Sequence, residues 1–183
     1  MGRCKHCKER FKPIRSTLEK YCTKDECIDA SIKEAVKKAK NKNNKEWNGR
    51  KKKMKESLKT KEDYFQDALK VFNEYIRLRD KDKPCISCGA VQGTYKITSG
   101  HYYPQGSYRN IALDEMNAHG QCWWNCNSNK SGNLIEYRKG FIERYGEEEM
   151  DKLEQRRLDK AHFTIPELIL IKEEYKQKVK RFK

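Results

Sequence analysis

Eight cysteines fall in two sets, Cys4, Cys7, Cys22 and Cys27, then Cys85, Cys88, Cys122 and Cys126. Each set is two close pairs divided by a spacer. Four thiolates so grouped suit a tetrahedral Zn²⁺, closed by sulfur and left with no open position for chemistry. Two structural Zn²⁺ ions are therefore expected, since disulfides need an oxidising compartment. A thiol-redox protein is the remaining reading of paired cysteines. The groups placed to react lie inside the second set: His101, Asn117 and His119 fall between Cys88 and Cys122, and Asn127 directly follows Cys126. An imidazole titrates at about 6.5, so His101 can take a proton from an attacking water near neutral pH. The competing reading is a buried, hydrogen-bonded histidine of a zinc-stabilised hairpin. His6 sits in the first knuckle, where four sulfurs already satisfy a metal, and reads as a surface residue. His162 lies outside the constellation and has no expected role.

Lys and Arg number 42 against 27 Asp and Glu, a net charge of +15. Eight thiolates set against two Zn²⁺ lower this only to about +11. The excess is concentrated, because residues 33–61 hold 13 basic and 3 acidic side chains. Such a field attracts polyanions, since each neutralised phosphate releases counterions. DNA, branched or double-stranded, is the expected partner. Arg50, Lys51, Lys52 and Lys53, then Arg77, Arg79 and Lys130, are the expected phosphate contacts. A solvated basic helix is the bland alternative. The start, Met1-Gly2-Arg3-Cys4-Lys5, is charged and has no apolar run, and no stretch approaches the roughly 20 apolar residues of a membrane span. A cytoplasmic protein with no membrane partner is expected.

The elements that must position these groups follow from pattern. Hydrophobic residues are 36% and charged residues 38%, which favours small modules joined by polar helices over one large core. Residues 1–40 read as a treble-clef-like Cys4 module plus helix, with Cys27 at the helix start. Residues 41–59 read as a basic linker or a solvated helix, and residues 60–183 as the second module with flanking helices. Thr60-Lys-Glu-Asp63 is a capping box whose helix runs to about Asp82, before Pro84. Tyr95 to Tyr103 has strand-like composition and puts His101 on a short hairpin. Helical patterns resume from Leu134 to Gly146, from Glu147 to about Asp159, and after a second capping signal at Thr164. Of Trp123 and Trp124, one is expected to cover the zinc and the other to face DNA. The fold class is α+β, predominantly helical.

A hairpin His, a loop Asn and a helix-borne Asn within a Cys4 frame resemble the HNH, or ββα-metal, nuclease motif. The resemblance narrows to the phage NinG proteins, also called Rap, along the whole chain. It rests on the N-terminal Cys module, the basic connector, Ile76-Arg77, Arg79-Asp80, Asp82, Pro84-Cys85-Ile86-Ser87-Cys88-Gly89 and Gly100-His101-Tyr102. It continues through Asn117, His119, Gln121-Cys122, Cys126-Asn127, Lys130-Ser131-Gly132-Asn133-Leu134 and Tyr137-Arg138. What the family implies is a structure-specific endonuclease cleaving branched DNA, of the Holliday junction or D-loop type, during phage recombination in the host cytoplasm. His101 would be the general base and Asn117 would fix its hairpin. One catalytic Mg²⁺ or Mn²⁺ would rest on Asn127 and His119 with waters and the substrate phosphate. HNH sites usually carry an acidic ligand directly before the catalytic histidine. Here that residue is Gly100, with Asp114 and Glu115 as distant substitutes. A homodimer, matched to the approximate two-fold symmetry of a four-way junction, and a phage recombinase are the expected protein partners. The rival reading is a non-catalytic, zinc-stabilised DNA-binding accessory protein, which the missing carboxylate favours.

Overall fold

The structure, a computed structural model, describes residues 1–14, 16–91, 93–160 and 163–182, so His162 lies outside the described residues. The chain forms two compact units, residues 1–58 and 59–183. Its class is α+β and predominantly helical, as the pattern predicts. Among the described residues no helix is long and apolar enough to cross a membrane.

In the first unit, β1 (Gly2–Arg3) pairs antiparallel with β2 (Arg10–Phe11) across the Cys4–Cys7 knuckle. Helix α1 (Asp25–Ser57) carries Cys27 in its first turn, where Asp25 and Glu26 complement the helix dipole. The Glu34 carboxylate accepts from Lys5, Lys38 and the Tyr21 hydroxyl, which fastens the knuckle to the helix. The segment that could have been linker or solvated helix is helical through residue 57. At 1.5 Å per residue, α1 is about 50 Å long. Trp47, Met54 and Leu58 are all exposed, so the far half of α1 is held by its own hydrogen bonds rather than by a core.

The second unit opens with α2 (Lys61–Arg79), whose Thr60–Asp63 capping box makes both of its reciprocal bonds. Strand β3 (Ile97–His101) pairs antiparallel with β4 (Ala118–Cys122), with Ile97 opposite Cys122 and His101 opposite Ala118. Three helices follow, α3 (Leu134–Tyr145), α4 (Glu147–Arg156) and α5 (Ile165–Lys180). The second capping box, Thr164–Glu167, starts α5 as expected, and Gly146 at φ 90° separates α3 from α4. Alternation of side chains splits the hairpin into two faces. Ala118 joins Phe65, Leu69, Phe72 and Ile76 of α2 and Leu168 and Tyr175 of α5. His119, on the opposite face, meets Tyr137 and Phe141 of α3, which pack with Ile86, Ile111, Met150 and Leu153.

Two expectations change here. Arg79 is largely buried and serves the hairpin: its guanidinium donates to the carbonyls of Ala118 at 2.8 Å and Glu115 at 3.0 Å and pairs with Asp80. A group so committed is not available to phosphate. Asn127 is not on the helix that follows. It lies in a π-helical turn, Trp123–Ser128. Ser131, Gly132 and Asn133 then run left-handed, at φ 47°, 93° and 46°, and break the chain before α3 begins at Leu134.

Helix α3 passes so close to the Cys85–Cys88 knuckle that a Cβ on Gly140 would sit 2.0 Å from the Ile86 carbonyl oxygen. Gly49 of α1 has open space, with nothing within 4 Å. These two helical glycines therefore respond oppositely to the same change. Gly140→Ala is expected to destabilise its unit by about 1–3 kcal/mol through overpacking, and Gly49→Ala to stabilise α1 by about 0.5–1 kcal/mol. Urea unfolding followed by circular dichroism reads both. Equal and small effects would mean that the α3 contact is looser than described.

Candidate functional site

Each cysteine set brings four sulfurs within 4.8 Å of one another. Cys7 Sγ lies 3.7 Å from Cys22 Sγ, and Cys122 Sγ lies 3.6 Å from the Sγ atoms of Cys85 and Cys88. Zn–S bonds of about 2.3 Å in a tetrahedron put sulfurs about 3.8 Å apart, whereas a disulfide needs about 2.05 Å. The donor sets therefore fit Zn²⁺. Four thiols at this spacing cannot all ionise alone: burial, then Cys22, Cys4 and Cys7, push Cys27 up to about 12. A divalent cation removes that conflict.

The two knuckles are built alike. Cys4 N–H bonds Glu9 O and Cys85 N–H bonds Ala90 O, while the N–H groups of Lys8 and Gly89 return to Cys4 O and Cys85 O. Lys8 and Gly89 share a left-handed conformation, φ 65° and 67°. Cys22 N–H reaches Cys4 Sγ and Cys122 N–H reaches Cys85 Sγ, each at 3.3 Å. His6 is exposed, as expected. At the second set Ala90 and Tyr95 supply the apolar cover. Trp123 and Trp124 are 44% and 65% exposed, so neither seals the cluster; Tyr95, arriving just before β3, takes that space.

His101 ends β3, on the face turned to α2, and its ring packs near Phe72 at 6.1 Å. Its Nε2 lies 3.0 Å from the Ala112 carbonyl oxygen, an acceptor only, so Nε2 carries the proton in the neutral ring. Nδ1 is then the free lone pair, with no hydrogen bond among the described residues. Burial lowers the pKa of His101, and the Ala112 carbonyl offsets only part of that effect. The ring is neutral at pH 7.

Asn117 is fully buried and staples the loop that follows β3. Its Oδ1 accepts from Tyr103 N–H at 2.8 Å, and its Nδ2 donates to the carbonyls of Tyr103 and Ile111, both at 3.1 Å. Its backbone carbonyl takes Tyr102 N–H at 2.9 Å. Every side-chain atom of Asn117 able to bond is thus spent on holding His101 and its neighbours. The side chain of Asn127, half-buried, makes no hydrogen bond to His101.

His119 is fully buried, with Nδ1 3.0 Å from the Tyr137 hydroxyl, which donates in turn to Gly100 O. Burial brings its pKa down to about 3, and Nε2 is enclosed without a partner. A hydrated ion would have to enter a cage of Tyr137, Phe141 and Tyr145 to reach it. The two nearby carboxylates in sequence, Asp114 and Glu115, are also engaged. Asp114 takes the Arg156 Nε at 2.8 Å, and Glu115 takes Tyr75, Tyr175 and Lys178. At Gly100 a Cβ would fall 2.3 Å from Gln121 Oε1. Gln121 fills the space an acidic ligand would need, and is held there by Ser87 and Gly132, both at 2.6 Å. Gln121 belongs to the series that carries the family resemblance but has no role expected from sequence, although the two-residue period places it beside His119 on one face.

Of the remaining expected phosphate contacts, four belong to the first unit and two to the second. Arg50, Lys51, Lys52 and Lys53 are exposed on α1 in the first unit. Arg77 is half-buried on α2. Lys130 is exposed at a groove of ≈ 840 Å³ between the second knuckle and α3, also lined by Ser87, Lys139 and Arg144.

The family model described as Bacteriophage Lambda NinG protein matches residues 1–183. The protein called Protein ninG of Escherichia phage lambda is 39% identical over 124 residues, covering 68% of this chain and 59% of that protein. The Salmonella phage P22 protein of the same name is 40% identical over 125 residues, covering 68% and 60%, and that of Escherichia phage 933W is 38% identical over 124, with the same coverage. The matched region thus spans about 60% of the length of these curated relatives. No solved structure matches the chain. By the match of the family model to every residue, this chain belongs to the NinG family of bacteriophage proteins.

Proposed function

We propose that this protein is a metal-dependent endonuclease that cuts phosphodiester bonds in branched DNA, with His101 as general base. The observation that carries this reading is the state of His101: Nε2–H is committed to the Ala112 carbonyl, burial keeps the ring neutral, and Nδ1 is left free. Asn117 locks the strand end that presents it. A neutral imidazole with one fixed tautomer is what deprotonation of water requires. The catalytic Mg²⁺ or Mn²⁺ would polarise the phosphate, held by Asn127, waters and the phosphate itself rather than by His119. The two cysteine sets would each hold one structural Zn²⁺, and α1 would supply sequence-independent attraction for the DNA backbone.

A second reading, a non-catalytic DNA-binding accessory protein, draws on Gln121 filling the position beside Gly100. Among the described residues, the groups of three or more His, Cys, Asp or Glu able to hold a metal are the two cysteine sets.

Cleavage assays, metal content and salt-dependent DNA binding test these assignments. His101→Gln keeps an amide donor for Ala112 but has no basic nitrogen. Cleavage of a four-way junction in Mg²⁺ or Mn²⁺ should fall at least about 100-fold, with DNA binding unchanged; cleavage at the wild-type rate would remove His101 as the base. Protonation disables the base and its pKa is lowered, so the rate should hold from pH 8 downward and decline only below about pH 6.5. Failure of the wild type to cut junctions that it binds, across both ions, would favour the accessory reading.

Elemental analysis should find two zinc ions per chain, falling to one in Cys22→Ser and in Cys122→Ser. A full complement in either variant would contradict the four-sulfur sites. Replacing Arg50, Lys51, Lys52 and Lys53 together by Ala should weaken binding to all DNAs alike. It should also reduce the slope of log K against log salt by up to about 3.6, and an unchanged slope would take α1 out of the interface.

A further inference from the structure

We infer that Trp123 and Trp124 form a stacking platform for unpaired nucleobases, which lets the protein hold single-stranded or branch-point nucleotides as well as duplex backbone. The inference rests on the DNA-binding reading above. Both indoles are displayed by a turn fixed at each end: Cys122 and Cys126 belong to one four-sulfur cluster. Trp123 N–H bonds Lys96 O at 2.8 Å and Asn129 N–H bonds Trp124 O at 2.8 Å. Such a turn loses little freedom when a ligand binds.

Trp123 and Trp124 are 44% and 65% exposed, and Tyr95 and Ala90 pack against the cluster in their place. Their centroids are 5.9 Å apart with planes inclined at 41°, so they do not consume each other's faces by parallel stacking. The Lys96 ammonium sits over Trp123 at 5.5 Å, and Lys130 is exposed seven residues beyond it in sequence. Strands β3 and β4 and the turn after them contain no Asp or Glu, and the carboxylates of the connecting segment, Asp114 and Glu115, are paired with Arg156 and Lys178. Four thiolates with one Zn²⁺ carry about −2, which Lys96 and Lys130 only balance. Attraction at this tip must then come from ring faces rather than net field. A paired duplex keeps its base faces inside the stack; unpaired bases offer theirs to an indole.

The chain has three tryptophans, and Trp47→Phe leaves this pair as the emitters. That protein is titrated with oligo-dT, with a forked duplex bearing unpaired arms, and with a blunt duplex. Fluorescence should be quenched by the first two and not by the third. Adding Trp124→Ala should weaken binding to oligo-dT and fork by about 5- to 150-fold, leave blunt-duplex affinity unchanged, and do so equally at low and high salt. Trp124→Tyr should restore part of the loss. Unchanged fork affinity in Trp124→Ala, or an equal loss for all three DNAs, overturns the platform while leaving DNA binding itself standing. A wild type that binds none of the three overturns both readings.

Discussion

A two-stranded hairpin does not hold itself together in water, and β3–β4 depends on the Arg79–Asp80 pair at the end of α2. Strand β4 has one edge paired to β3. Its other edge is met by Arg79, which donates to Ala118 O, by Asp80, which accepts Gly120 N–H at 2.8 Å, and by Ile86, whose N–H bonds Gly120 O at 3.1 Å. Asp80 is fully buried. Burial alone would raise its pKa, but Arg79, Gly120 N–H and Lys83 outweigh it and hold the carboxyl well below the usual range. A charge enclosed in this way is tolerable only when paired and hydrogen-bonded. Position follows from that clasp. With β4 fixed, Asn117 and His119 are fixed, and the register to β3 then places His101 on the α2 face. A slip of one residue would send it to the other face.

Much of this was legible because some signals are local. Cysteine spacing gives two four-sulfur sets, and both capping boxes, at Thr60 and Thr164, start helices where their side chains can satisfy free N–H groups. Gly146 ends α3 for an equally local reason. What could not be read depends on partners distant in sequence. Arg79 looks like a phosphate contact until Ala118, 39 residues away, is beside it. One of Trp123 and Trp124 looks like zinc cover until Tyr95 occupies that place. Asn127 looks helix-borne because nothing in composition announces a π-turn followed by three left-handed residues. The extent of α1 was ambiguous for a different reason: its far half has good helix formers and no apolar face, so propensity and periodicity point apart.

The lack of a carboxylate at position 100 has a steric counterpart. Gln121 and His119 project from β4 toward α3, and Gln121 lies across Gly100 with its amide tied to Ser87 and Gly132. Tyr137 completes the layer by bridging His119 and the Gly100 carbonyl. This face of the hairpin is a packed polar layer, and any residue larger than glycine at position 100 would displace it. His101 therefore has to act, if it acts as a base, from the opposite face, where Ala112 fixes its tautomer. The division of the hairpin into a structural face and a face bearing the free imidazole nitrogen is a consequence of the two-residue period, not of two separate sites.

The paired knuckles carry this logic to the whole chain. Their backbones repeat the same hydrogen bonds and the same left-handed residue after the second cysteine, at Lys8 in one and Gly89 in the other. Lysine pays a conformational cost there that glycine does not, so the first knuckle relies more heavily on what its second cysteine pair is attached to. That attachment is α1, entered at Cys27 and fastened by Glu34. In the second unit the corresponding pair is attached to a strand end and a π-turn instead, Cys122 and Cys126. One four-sulfur module thus anchors a long basic helix, and the other anchors a hairpin and two exposed indoles. The same small scaffold, too poor in apolar residues to fold on burial alone, presents charge in one unit and ring faces in the other.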